Sequence, residues 1–78
     1  MGESLGQIKT SDFRKFLEFH GLKHIRTKGD HEIWSRQDLL RPIVVVTGKK
    51  EMAEFHVRQN LRTLNLTVED LRSFLQAQ

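Results

Sequence analysis

The chain has no cysteine and no tyrosine among its 78 residues, so its candidates for proton transfer near neutral pH are four histidines, His20, His24, His31 and His56. An unperturbed imidazole titrates at about 6.5, where it can serve as acid or base. The four differ in setting. His20 follows Phe13, Phe16 and Leu17 at helical spacing and reads as a half-buried packing residue. His24 and His56 fall among polar neighbours and are expected to be solvated. His31 stands beside Lys28, Gly29 and Asp30, where a glycine lets a bulky anion come close to the backbone. It is the imidazole best placed for acid–base work on a phosphate ester. His20 and His24 have the i, i+4 spacing of a helical metal pair, but Gly21 interrupts them and no nearby carboxylate pair completes a zinc set. No metal and no cofactor is expected.

Charge supports an anionic partner. There are 13 Lys and Arg against 10 Asp and Glu, and residues 21–50 hold seven basic against three acidic side chains while the flanking segments are nearly balanced. A basic segment within an otherwise neutral chain points to nucleic acid, ahead of a membrane surface because no helix pairs a cationic face with a strong apolar one. Gly48, Lys49 and Lys50 just before an expected helix add a plausible phosphate contact through backbone N–H groups and two ammoniums. Trp34 and the five phenylalanines are expected to be mostly core, without the stacked surface aromatics of single-strand binders.

The elements that must position these groups follow from periodicity. A chain this short buries only about 60% of its unfolded surface, which excludes Rossmann, barrel and kinase architectures and leaves one small domain. Residues 1–7 read as a flexible tail and 8–78 as the domain. Thr10, Ser11 and Asp12 open a helix that ends at Gly21, with side-chain oxygens capping its first turn. Residues 23–28 and 31–36 alternate around Gly29-Asp30, a two-residue hairpin signal. Pairing Lys28 with His31 predicts Ile25 opposite Trp34 on the core side, and His24, Arg26, Lys28, His31 and Ser35 on a basic face around Ile33. Residues 42–46 form a Val-rich third strand. Val57, Asn60, Leu61 and Leu64 mark a helix from about Glu51 to Leu64, and Thr67 with Asp70 resembles a capping box opening a last short helix through Leu75. The order is α-β-β-β-α-α.

The run Lys28-Gly29-Asp30-His31-Glu32-Ile33-Trp34 resembles the HicA (YcfA-like) family of small bacterial toxins. The likeness extends from Ile8 to Leu75 through Lys9-Thr10-Ser11, Gly21-Leu22, the Val-rich strand and Lys49-Lys50-Glu51-Met52. It implies an α+β fold similar to a double-stranded RNA-binding domain, with a three-stranded antiparallel sheet packed on helices. It further implies a toxin of a type II toxin–antitoxin system, a ribosome-independent endoribonuclease that cleaves messenger RNA and is silenced by a HicB-like antitoxin covering its site. The family's Gly-Ser-His motif carries onto Gly29-Asp30-His31, which makes His31 the catalytic residue. Lys28, Gly29, Arg26, Lys49 and Lys50 are then the expected RNA contacts. Two positions depart from the family: Asp30 stands for its serine, and Thr47-Gly48-Lys49 replaces its Pro-x-His. These departures motivate an alternative, a weak or inactive RNA-binding module of the same fold. With no transmembrane-length apolar run and no signal-peptide pattern at MGESLGQ, a cytoplasmic protein is expected.

Overall fold

Alternation in residues 31–35 places every second side chain on one face of a strand, and the partners of that strand decide which face is buried. In the computed structural model, which describes residues 5–78, the sheet is built from β2 (Lys23–Lys28), β3 (His31–Ser35) and β4 (Ile43–Val46), antiparallel in the order β2-β3-β4. It is preceded by β1 (Ile8–Lys9) and α1 (Thr10–Phe19), and followed by β5 (Glu51–Met52), α2 (Glu54–Thr63) and α3 (Val68–Gln76). The α-β-β-β-α-α order and the α+β class read from the sequence are those observed, with the two-residue strands β1 and β5 added as a separate antiparallel pair.

The hairpin forms as its loop demands. Lys28 pairs with His31 and Arg26 with Ile33, and Gly29 takes a φ of 61° while Asp30 stays at negative φ. Positive φ at the first loop position alone is the pattern of type II′ turns. The register then departs from the sequence reading. His24, not Ile25, lies opposite Trp34, because a β-bulge between His24 and Arg26 leaves Ile25 unpaired. An extra residue in one strand reverses the facing of everything beyond it. Ile25 is therefore exposed rather than core, and His24 joins the Trp34 side, where its ring lies 5.6 Å from the indole and its Nε2 is 2.8 Å from Thr27 Oγ1.

The inner face carries Trp34, Ile43 and Val45, buried against Phe13, Phe16 and Leu17 of α1, Val57 and Leu61 of α2, and Leu71 of α3. Glu32 shares this face. Its carboxylate accepts two hydrogen bonds from Arg14, at 3.0 and 2.7 Å, and one from Trp34 Nε1 at 2.9 Å. The Arg14 hydrogen bonds hold the Glu32 carboxyl below its usual range against the opposing pull of burial.

The helix ends are closed by local chemistry. Gly21, at φ 83°, donates to Glu18 O, and Leu22 donates to Leu17 O, a Schellman motif that ends α1 where the glycine predicts. Thr67 and Asp70 form the expected capping box of α3, with the Thr67 N–H the main cause of a lowered Asp70 carboxyl pKa. The α1 start differs from expectation. Lys9 is the N-cap and no side chain caps it. The buried Thr10 hydroxyl instead donates to Lys49 O at 2.7 Å, and the Thr10 N–H to Lys50 O at 2.8 Å. Thr10 thus ties the start of α1 to the segment just before β5 rather than closing its own helix.

Within the expected tail, Leu5 is buried in the core, while residues 1–4 lie outside the described residues. Among the described residues no helix is long and apolar enough to cross a membrane.

Candidate functional site

The outer face of the sheet carries the other half of the alternation. Arg26 and Lys28 on β2, His31 and Ile33 on β3, and Val44 and Val46 on β4 share it by register. The helices leave this face uncovered except at one side, where α2 runs along β4. There Asn60 is buried and its Nδ2 donates to Val44 O at 3.1 Å, satisfying a carbonyl on a strand that has no strand neighbour on that side. The step from sheet to helix leaves a groove of about 250 Å³ with His31 and Val46 on one wall, His56 and Asn60 on the other, and Arg41 at one end.

His31 is held in this groove by its neighbour in the turn. Its Nδ1 lies 2.8 Å from Asp30 Oδ1, with both side chains more than half exposed. A carboxylate on Nδ1 fixes the neutral tautomer with its proton there, so that Nε2 carries the lone pair. Among the described residues no protein group hydrogen-bonds that Nε2. The turn itself is tied down from behind, because Thr47 N–H donates to Asp30 O at 2.7 Å. Beside it, a Cβ built on Gly29 would meet nothing within 4 Å, so the backbone there is open to a bulky anion.

The remaining expected contacts divide. Arg26 and Lys28 lie on the His31 face, towards the free edge of β2. Lys49 lines a smaller hollow that shares Val44, Val46 and His56, but not His31, with the groove. Lys50 lines neither recess. The anticipated phosphate cradle at Gly48-Lys49-Lys50 is not formed as a helix N-terminus: β5 intervenes, the N-cap of α2 is Ala53, and the carbonyls of Lys49 and Lys50 are taken by Thr10.

Sequence reasoning missed two groove residues. Arg41 sits in the connection between β3 and β4, where no periodicity marks it. His56 was expected to be solvated, yet it is partly buried in the first turn of α2, its ring 4.1 Å from that of Phe55. The one signal that could have found it is its place just before Val57 on the helical stripe, which puts it at the edge of the packed side. The phenylalanines also divide, since Phe19 and Phe55 are 69% and 65% exposed, against the expectation of a mostly buried set.

A larger hollow, about 560 Å³ between α1 and α3, lies on the helical side of the sheet and is lined by Phe19, His20 and Phe74. His20 packs edge-on against Phe16 and Phe19 there, the packing role expected of it. The chemistry-bearing arrangement is the smaller groove. Fold and site together define a small α+β domain that presents one oriented imidazole among cations on an open sheet face. No protein-family model matches the chain, and no curated protein matches it.

Proposed function

We propose that the protein is an endoribonuclease that cleaves RNA by general acid–base catalysis, with His31 moving the proton of the ribose 2′-hydroxyl. The observation that carries this reading is the position of His31, held through Nδ1 by Asp30 on the sheet face that carries Arg26 and Lys28, in a groove that Arg41 also lines. Attack by a 2′-oxygen needs a base within hydrogen-bond reach, and the negative charge gathering on the phosphoryl oxygens needs cations beside it. An open face suits a polymer that brings most of its contacts along its own length. The resemblance to HicA toxins supports messenger RNA as the substrate and a HicB-like antitoxin as the partner that covers this face.

Purified protein is expected to cut RNA in EDTA. His31→Ala should lower the rate by about 10²–10⁴-fold, the usual contribution of a positioned acid or base, while the circular dichroism spectrum and melting midpoint stay unchanged. Equal cleavage by both proteins sinks the reading. Salt-sensitive RNA binding with no products from either protein would replace it with a non-cleaving RNA-binding module, which the Asp30 carboxylate beside the phosphate path favours.

A further inference from the structure

We propose that His56 is the second proton-transfer residue, donating to the 5′-oxygen that leaves while His31 accepts from the 2′-hydroxyl. The inference rests on the endoribonuclease reading and extends it to a residue on a different element. His31 and His56 stand on opposite walls of one groove. At about 250 Å³ this groove lies below the roughly 300–1,000 Å³ of pockets that enclose drug-sized ligands, a size suited to a phosphodiester group. Both imidazoles and the Arg41 guanidinium line the groove in which a phosphate would sit.

Asp30 sets the tautomer of His31. With its Nδ1 proton held by the carboxylate, His31 presents a lone pair at Nε2, and the imidazolium formed on accepting a proton is stabilised by the same carboxylate. His56 is the other imidazole of the groove, and in the proposed step it is the proton donor. The charged groups around it are Lys49 and Glu51 in the adjoining hollow and His31 and Arg41 in the groove.

The step balances without a metal or any co-reactant. The 2′-oxygen forms a bond to phosphorus as the P–O5′ bond breaks. The 2′ proton passes to His31 and a proton from His56 passes to O5′, leaving a 2′,3′-cyclic phosphate and a 5′-hydroxyl. Exchange with water then restores both imidazoles.

Leaving-group chemistry tests this assignment. His56→Ala and His56→Gln should each slow cleavage of ordinary RNA by about 10²–10⁴-fold and remove the alkaline limb of a bell-shaped pH–rate profile. A substrate with sulfur in place of the bridging 5′-oxygen leaves without protonation. On it both variants should return to within about tenfold of the wild-type rate, while His31→Ala stays slow. Wild-type cleavage matched by both His56 variants on ordinary RNA overturns the inference and leaves the endoribonuclease reading intact. A His56 defect that persists on the sulfur substrate overturns it as well. A wild-type protein that cuts neither substrate overturns both.

Discussion

The two faces of the three-stranded sheet are made by the same strands from alternate residues, and they differ in how completely their polar groups are used. On the inner face Glu32 spends both carboxylate oxygens on Arg14 and one of them also on Trp34. On the outer face His31, its immediate neighbour in sequence, commits one nitrogen to Asp30 and turns the other toward an open groove. A polar group with all its bonds made inside the protein fastens an element in place. One with half its bonds made is oriented and still able to react. Adjacent residues on a single strand thus divide a fully bonded polar group from a half-bonded one, with the pleat as the partition.

Substitutions that strike one face and spare the other test this division. The largest stability effect belongs to the inner face: Trp34→Ala should cost about 3–5 kcal/mol, the range for emptying an aromatic core position, read as a lowered denaturant midpoint. Ile33→Thr, one residue away on the half-covered outer face, should cost less than about half of that in the same experiment. Comparable losses at 33 and 34 would break the comparison.

Next comes Glu32→Gln, expected to cost about 1–2 kcal/mol at neutral pH as charge-assisted hydrogen bonds become neutral ones. The sign of the pH dependence follows from the lowered carboxyl. Because Glu32 titrates below its ordinary value of 4.5 in the folded protein, its stabilisation is fully present above that pH and is lost as acid protonates the folded state. Melting curves between neutral and acid pH should therefore converge for wild type and Glu32→Gln. The smallest effect lies on the outer face. Lys28→Ala or Arg26→Ala should leave the melting midpoint alone and reduce the slope of log affinity for single-stranded RNA against log salt by about 0.7 each. An unchanged slope removes that residue from the RNA path.

Much of this was legible in local sequence. Gly29-Asp30 announced the hairpin and its register at Lys28 and His31, Thr67 and Asp70 announced a cap, and the Val-rich strand and the stripe from Val57 to Leu64 showed which sides face inward. Each of these signals lies within a few residues of what it specifies. The failures all depended on distant partners or on a broken period. Strict alternation along β2 put Ile25 on the core side, and the bulge undid it. Thr10 looked like a helix cap because its hydroxyl is the right type, but its acceptor is 39 residues away. Strands β1 and β5 are too short to show a period at all. At the site, the sequence reached His31 through its turn, while Arg41 and His56 come to the groove only when α2 is laid along β4.

The hydrogen bond from Thr47 to the carbonyl of Asp30 has a consequence for the conformational entropy of the His31 imidazole. A hairpin tip usually swings about its strands, and any side chain on it samples that motion together with its own rotations. Here the tip is moored to the far end of the third strand, and the imidazole retains little beyond its two side-chain torsions, one of which Asp30 restrains further. The orientational freedom that a bound substrate would otherwise have to remove is already spent when the chain folds. Lengthening the turn by one residue would restore that freedom and should slow the proposed cleavage even with every side chain of the groove retained.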